Sequence, residues 1–174
     1  ELDNVSKMVL KKDLIGELDK IHKINLPQGM VNYEFDNIWK KFNEDKSKGI
    51  MDETDKNKKE EELKKEYRSI AERRVKVGLI LAKIGEENKI SVNDDDLKKV
   101  IEEEILRQPD AKDQIIKFYS ENSQALASLK APIFEQKVVN YILENIKLEE
   151  KEISRKELLK KYKKHLKKKF NKYL

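Results

Sequence analysis

The amino-acid sequence predicts an all-α protein. Apolar residues recur at spacings of three and four along almost the whole chain, which is the pattern of amphipathic helices. A clear alternation of apolar and polar residues, which would indicate a strand, is missing. Only 5 glycines and 3 prolines interrupt the 174 residues, so we expect long helices with short connections.

The first two helices meet at Pro27. Apolar residues predict a first helix that begins at Leu2. It should stop near Lys23, because Leu26 precedes a proline and must be extended. Pro27 suits the first turn of a second helix. The polar segment that follows, 43–54, is predicted to be a loop. The second helix carries an apolar stripe with a tryptophan beside it: Val31, Phe35, Ile38, Phe42 and Trp39.

A third helix is predicted over 56–88. It is apolar on two faces, so we expect neighbouring helices on both sides. Arg74 falls on the apolar stripe between Ile70 and Val77. We interpret it as paired with an acidic residue of a neighbouring helix or as a side chain that extends toward water. A functional anion site is the less favoured alternative.

The remaining helices have recognisable ends. Asn93 is predicted to cap a fourth helix whose first turn is acidic, and Pro109 interrupts the pattern before a short fifth helix. Ser123 is a candidate cap for the sixth helix. Pro132 should kink that helix or mark its true first turn. Ser154 and Glu157 have the spacing of a capping box that opens a last helix.

Composition excludes several classes of function. Charged residues make up 42 % of the chain and hydrophobic residues 37 %, which predicts a thin core. The absence of cysteine excludes disulfide scaffolds and cysteine–zinc sites. The two histidines, His22 and His165, are far apart in sequence, and the glycines form no phosphate-binding motif. We therefore expect no metal, no cofactor and no enzymatic activity, and the lack of a long apolar run predicts no membrane span.

Positive charge is concentrated at the C-terminal end. Residues 155–174 carry a net charge of +9, which leaves −4 for the rest of a chain whose total is +5. We therefore divide the chain into a helical body, 1–154, and a basic amphipathic helix or tail, 155–174. Only five of the 39 basic residues are arginine, so most lack the planar fork that reads phosphates and bases.

Three stretches follow one another along the chain: Ile24–Pro27 with Met30–Asp36, then Ala71–Ile84, then Ile116–Asn122 with Phe134–Val139. In this order and spacing they resemble the C-terminal domain of trigger factor, the bacterial ribosome-associated chaperone. The resemblance covers about residues 5–150.

The resemblance implies an elongated, multi-helix, SurA-like chaperone domain with protruding helical arms. It implies a cytoplasmic, ATP-independent chaperone module that cradles clients, meaning unfolded or nascent polypeptides. The family's ribosome-docking loop and its prolyl-isomerase domain are not found in these residues. Glu1 is therefore expected to lie downstream of both, and contact with the ribosome would depend on the docking domain.

Client contact requires apolar side chains that are accessible within a charged surface. The alternative for each candidate is an ordinary place in the core, and self-association through the same side chains is a further interpretation. Trp39 and Met30 lie slightly off the main stripe of their helix, which favours them. The candidates are Met30, Phe35, Trp39, Phe42, Ile105, Ile115, Phe118 and Tyr119.

The basic C-terminal helix has three interpretations. It packs on the body as a solvated terminal helix, or it binds RNA or a ribosomal surface through lysines, or it lies on a membrane. The membrane interpretation is the least favoured, and we expect no membrane partner. The RNA- or ribosome-binding interpretation is the alternative function of the chain. The candidate contacts to an anionic partner are Lys160, Lys164, Lys167 and Lys168.

Overall fold

The computed structural model describes residues 2–149 and 151–166, and this part of the chain is all-α, as predicted, with no strand. None of the helices in the described ranges is long and apolar enough to cross a bilayer. The elements are α1 (Leu2–Ile21), α2 (Gln28–Ser47), α3 (Glu60–Glu87), α4 (Asp94–Arg107), a 3₁₀ turn (Pro109–Ala111), α5 (Lys112–Glu121), α6 (Ser123–Asn145) and α7 (Arg155–Leu166).

The chain divides into two compact units. Among the described residues, one contains 2–80 together with 151–166, and the other contains 81–149, so the boundary falls inside α3. We call them the terminal unit and the middle unit. The predicted division after residue 154 concerns function and stays a prediction.

The core of the terminal unit contains buried residues of α1, α2 and the first part of α3. An aromatic cluster fills it: the rings of Phe42 and Tyr67 lie 4.9 Å apart, and Trp39 stacks on Phe42 at 5.0 Å. The hydroxyl of Tyr67 donates to the carboxylate of Asp55 at 3.1 Å, and both side chains are buried. This hydrogen bond satisfies polar atoms that burial would otherwise penalise, and it fixes the connection between α2 and α3 against the core.

Arg74 pairs with an acidic residue of a neighbouring helix, as predicted. Its Nη1 lies 2.6 Å from Oε1 of Glu34, so the pair joins α3 to α2. On the adjacent face of α3, Arg73 and Lys76 both contact Asp19 near the end of α1, at 2.8 Å and 3.2 Å. Charged residues beside the apolar stripes of α3 therefore link this helix to both preceding helices.

The prediction that 43–54 is a loop is wrong for its first part, because α2 continues to Ser47. The polar residues 43–47 stay helical with support from the ion pair of Lys41 with Asp45, at 3.1 Å. The helix then ends in a Schellman motif. Gly49 has φ 74°, its N–H bonds the carbonyl of Lys46, and the N–H of Ile50 bonds the carbonyl of Asp45.

Helix α7 belongs to the terminal unit and packs against α1. Its predicted capping box is confirmed. Oγ of Ser154 accepts from the backbone N–H of Glu157 at 3.2 Å, while the carboxylate of Glu157 accepts from the backbone N–H of Ser154 at 3.0 Å.

In the middle unit, α4, α5 and α6 pack on one another. The predicted cap at Asn93 is confirmed as one half of a capping box with Asp96. The cap of α6 is Asn122 rather than Ser123, because the Asn122 side chain accepts from the N–H of Ala125 at 3.0 Å. Pro132 lies inside α6, so it does not mark the first turn of that helix.

Candidate functional site

Two large side chains of α2 face water. Met30 is 47 % exposed and Tyr33 is 70 % exposed. Their spacing of three residues places both on one side of the helix, away from the buried Val31 and Ile38. Met30 was predicted as a client contact from its position off the apolar stripe. Tyr33 was missed, although an aromatic residue one turn from Met30 was a usable signal.

Trp39 takes part in packing and also reaches the surface. Its indole stacks between Phe35, at 5.9 Å, and Phe42, at 5.0 Å, and Lys64 Nζ lies 5.5 Å from the indole centroid. The tryptophan also lines a shallow surface depression with Asp36 and other polar residues of α2. Phe42 is buried, and Phe35 is half-buried. The structure therefore places Phe42 in the core and only the tryptophan at this depression.

The residues around the Pro109 turn separate into an inner and an outer set. Ile115 is buried and Ile105 is half-buried, as expected for helix positions that face the unit's core. Phe118 is 52 % exposed, and Leu106, at 77 %, and Ile116, at 46 %, are exposed as well. Leu106 and Ile116 each follow an inward residue by one position. A step of about 100° along the helix turns them toward water, which the apolar count alone did not show.

Tyr119 is tied to α4. Its hydroxyl donates to the carboxylate of Glu104 at 2.9 Å, and its ring lies edge-on to Phe118 at 5.2 Å. Burial raises the pKa of the Tyr119 hydroxyl, and the hydrogen bond to the negative Glu104 raises that pKa further. Tyr119 is therefore a fixed neighbour of the exposed Phe118 ring.

The lysines of α7 are exposed, including the predicted Lys160 and Lys164. Lys167 and Lys168 lie outside the described residues. Glu157 is the acidic residue of the capping box. The backbone N–H and the hydroxyl of Ser154 both donate to its carboxylate, and both hydrogen bonds lower the pKa of Glu157, the backbone one more strongly. In the described ranges, no group of three or more histidines and carboxylates has the geometry of a metal site.

The fold and these surfaces define a class: an all-α domain that presents separated apolar side chains on a highly charged surface. Residues 1–144 match the family model of the bacterial trigger factor protein C-terminus. The chain belongs to this family. The matched range contains α1 to α5 and nearly all of α6, while α7 begins beyond it, at Arg155.

The curated relatives are bacterial trigger factors. The chain is 45 % identical over 153 residues to trigger factor of Maricaulis maris, covering 88 % of this chain and 30 % of the relative. It is 44 % identical over 160 residues to that of Paramagnetospirillum magneticum, covering 92 % of this chain and 35 % of the relative. The chain thus spans about a third of the length of these relatives. No solved structure matches it.

Proposed function

We propose that this chain is a chaperone module that binds unfolded or nascent polypeptides without ATP. Membership of the trigger factor C-terminal family carries the proposal. The exposed apolar side chains of α2, α4 and α5 support it, because a chaperone that accepts many sequences needs apolar contacts that a client can reach. The same membership supports a cytoplasmic location and a non-catalytic role for these residues.

Binding would be weak at each contact and cumulative over several. In the terminal unit the contacts would be Met30, Tyr33 and the exposed part of Trp39, and in the middle unit they would be Leu106 and Phe118. Several low-affinity contacts on one chain raise the overall affinity without demanding a particular client sequence. Release follows when the client folds and buries its own apolar side chains. The dense surface charge keeps the client-free protein in solution.

The buried candidates have a different part in this proposal. Phe42 is buried in the terminal unit and Ile115 in the middle unit, so each would act only by positioning exposed side chains of its own unit. Phe35 and Ile105 are half-buried, so they would contribute the edges of the apolar surfaces. Tyr119 would orient the Phe118 ring through its edge-on contact.

The test is aggregation of a chemically unfolded model protein, followed by light scattering at several molar ratios without ATP. We expect the chain to suppress aggregation. The double variant Leu106→Ser, Phe118→Ser should need a several-fold higher ratio for the same effect, because it removes accessible apolar area while leaving buried residues in place.

A matched control carries two exposed polar substitutions on the same helices, Lys98→Ser and Gln114→Ser. It should suppress aggregation as well as the unchanged chain, and circular dichroism should show equal helix content in all three proteins. No suppression by the unchanged chain at several-fold excess would contradict the chaperone proposal. If the control lost as much suppression of aggregation as the double variant, the assignment of Leu106 and Phe118 as client contacts would be contradicted.

The alternative function, binding of RNA or a ribosomal surface through the basic helix, stays a prediction. The exposed Lys160 and Lys164 are the side chains it requires. Deleting residues 155–174 separates the two functions. A chaperone body should still suppress aggregation, whereas an RNA-binding chain should lose both its affinity and the salt dependence of that affinity.

A further inference from the structure

A groove of about 590 Å³ runs along the surface of α7. Its described lining is mostly aliphatic, because it consists of one leucine and the methylene stems of lysines whose ammonium groups reach outward. The lining residues are Lys156, Leu159, Lys160, Lys163 and Lys164.

The spacing of these residues places them together on one side of the helix. They follow the pattern i, i+3, i+4, i+7 and i+8, so Leu159 has Lys156 and Lys163 as its neighbours one turn away on either side. Leu158 and Tyr162 lie on the adjoining face; they and Leu159 are half-buried, while α7 packs on α1. The lysines of the groove are exposed, so they surround a leucine that is partly accessible.

We propose that this groove docks an acidic, amphipathic segment of a partner polypeptide. The partner would place an apolar side chain against Leu159, and its aspartate or glutamate side chains would pair with the surrounding lysines. Charge complementarity requires a partner segment with a negative net charge. The described residues of α7 carry Arg155 and five lysines against the single carboxylate of Glu157, which already serves the capping box.

The apolar centre favours a polypeptide over a nucleic acid. A phosphate backbone binds to cations and gains nothing from Leu159. An acidic amphipathic helix uses both the lysines and the apolar contact with Leu159. The described lining of the groove contains no aromatic ring on which a base could stack and no arginine to hold a phosphate in a fork. The site is independent of the apolar surfaces of α2, α4 and α5, so it does not rest on client binding there.

The test measures binding of labelled peptides to the whole chain by fluorescence anisotropy. The first probe is a helix-forming peptide of about 14 residues, matched to the length of α7, with leucines on one face and glutamates on the other. A second probe has glutamine in place of each leucine, and a third has lysine in place of each glutamate. The first should bind, the second should bind roughly fivefold or more weakly, and the third should not bind.

Two variants of the chain test both halves of the site. Leu159→Gln should weaken binding of the first probe by roughly five- to tenfold. Changing the four groove lysines to glutamine should weaken binding of the first probe by roughly tenfold or more, because exposed ion pairs contribute little singly but add together. The same change should make the affinity less dependent on NaCl concentration. The matched control changes four exposed lysines elsewhere to glutamine and should leave affinity within about twofold. Those lysines are Lys65, Lys99, Lys112 and Lys130.

Leu159→Met guards against loss of α7 itself. It keeps an apolar side chain of similar volume, so it should retain affinity within about twofold. Equal binding of all three peptides would overturn the proposal. So would stronger binding of an oligouridine of about 20 nucleotides that depends on the groove lysines but not on Leu159, because that result would assign the groove to RNA. Sedimentation showing that the groove variants abolish self-association, with no peptide bound, would assign it to a second copy and overturn the proposal too.

Discussion

Gly85 of α3 lies directly against the ring of Phe134 of α6. A Cβ atom built on Gly85 would lie 2.2 Å from Cζ of Phe134 and 2.9 Å from Cγ2 of Val138. Real Cβ atoms do not approach other atoms so closely, and the ring, held in the packing of the middle unit, is not a flexible side-chain end. The absence of a side chain at residue 85 is therefore what allows α3 and α6 to meet at this point.

Gly85→Ala should destabilise the protein. Overpacking a close contact costs about 1–3 kcal/mol, which exceeds the gain of about 0.5–1 kcal/mol that alanine brings to a helix interior. The midpoint of urea unfolding, followed by circular dichroism at 222 nm, measures the change. Gly78→Ala is the matched control in the same helix, since a Cβ there meets nothing within 4 Å, and it should stabilise by about 0.5–1 kcal/mol. A stabilising Gly85→Ala would contradict this description of the contact.

Lys89→Gly should stabilise the protein. Helix α3 ends in a Schellman motif, in which the N–H of Ile90 bonds the carbonyl of Gly85 at 2.8 Å and Lys89 takes φ 54°. A lysine in this left-handed conformation is strained, whereas glycine adopts it freely, so we expect a gain of about 0.5–1 kcal/mol in the free energy of unfolding.

The end of α2 supplies the opposite control for that prediction. Its Schellman motif already has glycine, Gly49, at the left-handed position. Gly49→Ala should therefore lower the free energy of unfolding by about 1 kcal/mol. Thermal unfolding of both variants checks the pair. A neutral Lys89→Gly beside a destabilising Gly49→Ala would contradict the backbone strain assigned to Lys89.

Helix ends with local chemistry were predictable from the sequence. Asn93 was predicted as a cap from the acidic turn that follows it, and Ser154 from its capping-box spacing to Glu157. Asn122 and Ser123 are both good caps and adjacent, so the spacing could not choose between them. The extent of α2 to Ser47 was missed because the charged residues 43–47 give no apolar pattern to follow.

The candidate surfaces were harder to predict. Periodicity identifies which residues are apolar together, but it does not distinguish Phe42 from Phe118. Only packing shows that Phe42 is buried and that Phe118 is half exposed. Arg74 was predictable because a charge on an apolar stripe needs a partner, yet the sequence could not name Glu34 as that partner.

Tyr119→Phe should change the alkaline behaviour of the protein. The folded state raises the pKa of Tyr119 above its ordinary value, so the unfolded chain loses this proton first as pH rises. The stability that follows from this shift is therefore fully present below about pH 10 and is lost as pH rises through the folded-state pKa. Unfolding midpoints between pH 9 and pH 11 should fall more steeply for the unchanged chain than for Tyr119→Phe.

Removing Glu104 tests the cause of that shift. Burial is its larger cause and the hydrogen bond to Glu104 the second, so Glu104→Gln should lower the pKa of Tyr119 only part of the way to its ordinary value. Titration of tyrosinate absorbance at 295 nm, compared with Tyr119→Phe to isolate this residue, measures it. A pKa unchanged by Glu104→Gln would contradict the role given to the hydrogen bond at 2.9 Å.

Asp96→Asn should remove a component of acid sensitivity. Nζ of Lys137 lies 2.6 Å from the carboxylate of Asp96, which also accepts from the backbone N–H of Asn93 at 2.9 Å. Both hydrogen bonds lower the pKa of Asp96, and the one from Lys137 has the larger effect. Because the pKa of Asp96 is lower in the folded state, the ionised carboxylate stabilises the fold at pH values above its unfolded-state pKa of about 4. This stability is lost as pH falls further, through the folded-state pKa.

The neighbouring Asp95 provides the matched control for this loss of stability at acid pH. It lies on the same first turn of α4 but is exposed and pairs more loosely with Lys98, at 3.6 Å. Asp95→Asn should therefore keep the drop in unfolding midpoint between pH 5 and pH 3, whereas Asp96→Asn should start from a lower stability at pH 7 and show a smaller drop. Equal drops in the two variants would mean that the Asp96–Lys137 pair, which joins α4 to α6, does not report on the folding of the middle unit. A smaller drop in Asp96→Asn alone would assign that part of the acid transition to the contact between these two helices.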